Sequence, residues 1–213
     1  YLEQCVDSVM VCRKRYAKQL YVGMGIELGQ WHLQPKAAEK IVRDYPFDYV
    51  IASLHKINDL DLKCYHYGKI DRKILCKQYL DELEEIANMG QFDCLGHLDL
   101  IKRYSAAQNY LIRVEEEERR VRAILKTLVA RGKGIEINTS GIRQQVGEAF
   151  PSKIILKWYE EEGGSYVTVG SDAHRRQDVG EGLEEAERIL DNMQNIHLVR
   201  FRDRKIIKVD EEM

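Results

Sequence analysis

No stretch of the 213-residue sequence approaches the roughly 20 consecutive apolar residues of a membrane-spanning helix, and no signal-peptide core is visible. Membrane partners are therefore not expected, and a cytoplasmic location is. An excess of either charge is also lacking. The 33 Lys and Arg stand against 35 Asp and Glu, a formal net charge of -2. That balance carries no global attraction to nucleic acid or an anionic surface. Cysteine is scarce: Cys5, Cys12, Cys64, Cys76 and Cys94 are odd in number and form no CxxC pair. Free thiols packed as small hydrophobes are expected rather than a disulfide framework. Repeats, linkers and low-complexity tracts are absent, so residues 1–213 read as one domain. Glu115 to Glu118, followed by Arg119, Arg120 and Arg122, predicts an exposed helix with Glu-to-Arg pairs three or four residues apart.

What is present is a regular alternation. Strand-like runs cover 22–28, 49–54, 94–98, 134–138 and 166–169. Helical periods lie between them: 35–44 with Pro35 in the first turn, 71–88 with Asp71 as cap, 114–132 stopped at Gly132, 149–162, and 181–193. Residues 196–209 read as a closing hairpin around Asp203-Arg204. Residues 1–20 look like the middle of an amphipathic helix, with Leu2, Cys5, Val6, Val9 and Met10 on one stripe. The expectation from this is that further sequence precedes Tyr1 in the natural protein. Strands alternating with helices pair in parallel and need helices over their faces.

Four of these runs end in a metal-type ligand. They are Ile26-Glu27, the run to His55, Cys94-Leu95-Gly96-His97, and Gly170-Ser171-Asp172-Ala173-His174. Ligands drawn from successive strand ends favour a β/α barrel, which collects its site at the carboxyl ends of all its strands, over an open sheet with one switch point. A carboxylate that bridges ions, together with neutral imidazoles, is what a phosphate-ester hydrolase needs to hold divalent metals. Glu27, His55, His97, Asp172 and His174 supply that mixture. Asp99, two residues past His97, either orients that imidazole or caps a turn. Glu136 is either part of a polar interior layer or a contact to a substrate amine. Cys94 lies on the strand that leads to His97. His32, His66 and His197 read as loop or surface residues.

The ordered set G-I-E-L-G, S-L-H, G-H-L-D-L-I-K-R-Y, I-E-I-N-T-S-G and G-S-D-A-H resembles the PHP (polymerase and histidinol phosphatase) superfamily, and within it the histidinol-phosphatase family. The resemblance covers about residues 1–205. It implies an α/β fold, a distorted seven-stranded TIM-like (β/α) barrel whose first strands are missing from this chain. It also implies two or three divalent ions (Zn, Mn or Fe) and hydrolysis of L-histidinol phosphate, a small-molecule phosphate ester. By the same resemblance Glu27 bridges ions, His55 and His97 bind single ions, and Asp172 and His174 bind two different ions at the catalytic centre. Lys102, Arg103, Asn138 and Arg143 become candidates for the phosphate and substrate. The family's first motif, His-x-His at the end of its first strand, is absent here. Two other readings follow from that: another PHP phosphoesterase, such as a protein-tyrosine phosphatase type, or a non-catalytic PHP-like module with a partial metal site.

Overall fold

Apolar runs that end in a glycine or a polar residue become strands, and the periodic stretches between them become helices. The computed structural model describes residues 1–208. In chain order the strands are β1 (Gly25–Gly29), β2 (Tyr49–Ser53), β3 (Lys56–Ile57), β4 (Leu60–Asp61), β5 (Cys94–Leu95), β6 (Gly134–Asn138), β7 (Tyr166–Gly170), β8 (His197–Arg202) and β9 (Lys205–Lys208). The helices are α1 (Leu2–Tyr16), α2 (Pro35–Asp44), α3 (Arg72–Met89), α4 (Ile101–Ala106), α5 (Glu118–Ala130), α6 (Lys153–Glu161) and α7 (Leu183–Leu190).

One sheet runs β1-β2-β5-β6-β7-β8-β9, while β3 and β4 form a small separate hairpin. Every neighbouring pair in the large sheet is parallel except the β8–β9 hairpin. The register sets Gly25, Glu27 and Gly29 beside Tyr49, Ile51 and Ser53, and Glu136 and Asn138 beside Thr168 and Gly170. Strand side chains alternate between faces, so these polar positions share one face. Ile135 and Ile137 take the other, fully buried side. Among the described residues, the second edge of β1 pairs with no strand.

Helix boundaries follow local chemistry. Asp71 accepts hydrogen bonds from the amides of Lys73 (2.8 Å) and Ile74 (3.2 Å), which fixes the start of α3. That helix buries Leu75, Tyr79, Leu83 and Ala87 at the expected four-residue interval. The period beginning at Val114 opens with a 3-10 turn to Glu117, and α5 starts only at Glu118. Helix α6 begins at Lys153, not 149, because Phe150 pairs across to Asn138 and the residue before a proline is held extended. Strand β5 stops at Leu95, three residues short of expectation, since the chain turns at His97 with φ +23°. The expected hairpin forms; Val209, its last predicted residue, lies outside the described residues.

Several surface expectations change. Arg122 pairs with Glu118 at 2.7 Å as predicted, but it also reaches Glu161 at the end of α6 and Glu162 just past it. Arg120 reaches Asp81 and Glu84 on α3, so the basic run ties α5 to its neighbours. Only Cys76 and Cys94 are buried; Cys5, Cys12 and Cys64 are exposed thiols. On α1 the stripe is shallow: Leu2, Val6 and Val9 pack partly against the core, while Cys5 and Met10 remain exposed.

Asp48, buried just before β2, ties three separated parts of the chain together. It accepts from the amides of Met24 (2.7 Å) and Asp203 (3.0 Å), from the Tyr21 hydroxyl (2.8 Å) and from the Arg13 guanidinium. The α1 helix, the entry to β1 and the β8–β9 turn therefore meet on one carboxylate. Nearby, Arg204 pairs with Asp93 at 2.6 Å and Tyr49 stacks on Phe201 with ring centroids 5.2 Å apart, so the sheet curls until β8 and β9 reach the start of β2 and β5. Burial pushes the Asp48 carboxyl up, but its hydrogen bonds and Arg13 outweigh this and hold it below the ordinary value. Its stabilisation is complete above the unfolded value near pH 4 and is lost as pH falls through the depressed folded value. Asp48→Asn should lower the unfolding free energy by about 2 kcal/mol at neutral pH. It should also flatten the acid limb of the stability curve, measured by urea denaturation from pH 7 to pH 3; an acid limb identical to the parent's would refute this.

Candidate metal centre

Three adjacent parallel strands, β1, β2 and β5, bring their ligands together. Glu27 sits within β1, His55 two residues past β2 and His97 two residues past β5. Glu27 Oε1 lies 3.0 Å from His97 Nε2 and 3.2 Å from His55 Nε2, and the two Nε2 atoms are 3.2 Å apart. One ligand atom from each of the three residues thus converges on a common point. An ion with bonds of about 2.1 Å keeps its ligand atoms roughly 3.0–3.4 Å apart, so the triangle has the size of one face of a coordination sphere. Two imidazole nitrogens facing each other cannot both be satisfied by donation alone. One carboxylate and two imidazoles match zinc and its neighbours in chemistry. The residues present fit a divalent metal.

The electrostatics agree with that geometry. Burial raises the Glu27 carboxyl, yet hydrogen bonds from His55 and His97 hold it well below the usual carboxylate range, so it is an anion. Burial lowers the His97 imidazole, and Glu27 together with Glu136 more than offsets this. His97 is 5% exposed in its side chain, against 37% for His55 and 41% for Glu27. The group is therefore anchored on one side and open on the other. The His97 Nδ1 atom is buried without a partner.

Asp172 and His174 sit apart from this triangle. The His174 side chain is 84% exposed and its Nδ1 lies 3.0 Å from the Asp172 carbonyl oxygen. The Asp172 carboxylate is engaged by Arg103 at 3.0 Å, and Arg143 donates to the Asp172 carbonyl at 2.9 Å. The structure thus brings together Glu27, His55 and His97, and separately gathers Asp172, Arg103 and Arg143. The backbone at Asp172 is left-handed, φ +49°, and Gly170, two residues earlier, pairs with Asn138 at the end of β6.

Other expectations need correction. Lys102 is fully buried and pairs with Asp99 (2.9 Å), Glu115 (2.8 Å) and Glu148 (2.7 Å); it has no path to a phosphate. Asp99 accepts from the Lys102 ammonium and from the Ser152 amide, so its carboxylate neither orients His97 nor caps the turn. Asn138 is 2% exposed, with its amide engaged by Glu136 and Ser140 rather than turned to a ligand. Burial pushes the Cys94 thiol up to about 12, and it belongs to no ligand group. His32 is not on the surface: its side chain is 2% exposed and meets Glu82 at 3.2 Å. His66 and His197 are exposed as predicted. Sequence reading left the role of Glu136 open. The alternation of Gly134, Glu136 and Asn138 was the signal that marked its face.

The comparisons with known proteins follow the same lines. The PHP domain family matches residues 2–140. A Clostridium acetobutylicum protein described as "Probable histidinol-phosphatase" is 32% identical over 185 residues, covering 85% of this chain and 71% of the relative. The "Histidinol-phosphatase" of Lactococcus lactis is 25% identical, covering 81% of this chain and 65% of the relative. A crystal structure of histidinol phosphate phosphatase from Lactococcus lactis, complexed with zinc, L-histidinol and phosphate, superposes with a TM-score of 0.79 at 20% identity. The match covers 98% of this chain and 80% of the other, a likeness of fold. The chain spans between 63% and 77% of the length of the curated relatives it matches. The chain belongs to the PHP family and resembles its histidinol-phosphatases.

The buried lysine makes a prediction of its own. Lys102→Ala leaves the fully buried Asp99, with Glu115 and the partly exposed Glu148 beside it, around no cation and should cost about 3–5 kcal/mol in urea denaturation. A loss below about 0.5 kcal/mol would show that the quartet holds nothing together.

Proposed function

We propose that this protein is a metal-dependent phosphomonoesterase that hydrolyses L-histidinol phosphate to L-histidinol and phosphate, a step of histidine biosynthesis in the cytoplasm. The observation that carries the reading is the convergence of Glu27 Oε1, His55 Nε2 and His97 Nε2 within hydrogen-bond distance of one another. The curated relatives supply the substrate.

In this reading Glu27, His55 and His97 hold the first ion, and Asp172 and His174 complete a cluster of two or three Zn, Mn or Fe ions. A divalent ion so held supplies Lewis acidity and a water of lowered pKa for phosphoryl transfer. The chain's own residues do the rest. Glu27 contributes fixed negative charge that retains cations. His55 and His97 would each offer the ion an Nε2 lone pair. Arg103 and Arg143, already drawn to Asp172, offer guanidinium donors of the kind that grip a phosphate in a bidentate manner. The curl of the sheet, with Tyr49 stacked on Phe201, supports the seven-stranded distorted barrel as its complete form.

A second reading, a PHP-like module with a partial metal site, is favoured by one observation. His174 is turned to solvent and Asp172 is bonded to Arg103, and neither joins the ligand group of Glu27, His55 and His97. Elemental analysis separates the two: at least two tightly held ions per chain support the phosphatase, and one or none supports the module.

With manganese or zinc added, the protein should release phosphate from L-histidinol phosphate far faster than from unrelated phosphate esters. Glu27→Gln should lower kcat/KM by about a thousandfold. Equal rates on all esters would remove the substrate and leave only the superfamily.

A further inference from the structure

A hydrogen-bonded path of one polarity runs beneath the candidate metal centre. Arg103 Nη2 donates to Ser140 Oγ, and Ser140 Oγ donates to Asn138 Oδ1 at 2.5 Å. The Ser140 amide also donates to Asn138 Oδ1, at 3.1 Å. That main-chain donor fixes which end of the Asn138 amide is the oxygen. Asn138 Nδ2 then donates to Glu136 Oε2 at 3.1 Å, and the same oxygen accepts the main-chain N–H of His97 at 3.1 Å. The first end of the path is a guanidinium that holds Asp172, and the last is the backbone of a ligand in the Glu27 triangle. Every donor along it points toward Glu136, as a chain between a cation and a carboxylate requires. Such chains strengthen cooperatively.

The site is built around Glu136. A Cβ on Gly170 would stand 2.4 Å from Glu136 Oε1, and one on Gly96 would stand 3.0 Å from the Ile51 side chain and 3.3 Å from Glu136 Oε2. A side chain at Gly170 would push the Glu136 carboxylate from its present place, and one at Gly96 would crowd it. His97 itself has φ +23°, a conformation an L-residue adopts only when its surroundings impose it. The bond to Glu136 is the one that holds its N–H.

We propose that Glu136 and Asn138 are positioning residues that fix His97 in its left-handed turn and couple the metal triangle to the Arg103–Asp172 pair, touching neither metal nor substrate themselves. The inference rests on the reading of Glu27, His55 and His97 as metal ligands. Partners beyond the ligand shell typically affect metal affinity by about 10–100-fold.

The test is equilibrium binding of Mn2+ or Zn2+ to metal-stripped protein, with inorganic phosphate as a second probe and the thermal midpoint as a control for folding. Glu136→Ala should weaken metal binding about 10–100-fold, whereas Glu136→Gln, which keeps an acceptor oxygen for the His97 amide, should stay within about threefold. Asn138→Ala should weaken both metal and phosphate although its side chain contacts none of the three ligands. It carries the test should Glu136→Ala not fold. The double variant should be no worse than Glu136→Ala alone, as members of one path are not additive. Metal affinities within twofold of the parent for both alanine variants, or additive losses, would overturn the proposal alone. Failure of the unaltered protein to bind either metal would overturn the underlying reading, and the proposal with it.

Discussion

One carboxylate oxygen shared by two imidazoles is the constraint from which the rest of this molecule takes its shape. Glu27 Oε1 meets His55 Nε2 and His97 Nε2 only because β1, β2 and β5 are consecutive parallel neighbours in a single register. Parallel pairing in turn demands a crossover between each pair, and the crossovers are α2 and α3 with their buried faces. A slip of one residue would turn Glu27 to the opposite face of the sheet. The core and the centre are thus specified together.

Much of this was legible in the sequence because the signals are local. Pro35, Asp71 and Gly132 mark helix ends through backbone chemistry that needs no partner. Glu27, His55 and His97 were recognisable because a polar ligand following an apolar run repeats, although the structure places Glu27 mid-strand. Other features were hidden because they depend on contacts distant in the chain. Lys102 follows His97 closely and reads as a phosphate ligand, but Glu115 and Glu148 come from elsewhere to enclose it. His174 belongs to the most suggestive motif in the sequence, yet its turn carries the imidazole out into solvent. Asp48 drew no notice, since nothing local says that residues 13, 24 and 203 will meet there.

Charge is organised unusually for so neutral a chain. Asp48, Lys102 and Glu136 are each nearly or fully buried, and each is surrounded by several donors or acceptors from separate segments. Burial raises the carboxyls of Glu136 and Asp99, and three carboxylates raise Lys102 despite its burial. Such groups add little net stability compared with apolar replacements, but they impose one arrangement of the loops that carry them. Lys102 and Glu136 do so for the segments that follow β5 and β6, which include Arg103 and Ser140.

The buried Asp48 has a bearing on how the chain tolerates cutting. It fastens residues 13, 24 and 203 to one carboxylate, so removing the β8–β9 turn would leave a buried anion short of donors at a point far away in sequence. Damage at either end of the chain is thereby felt at the other.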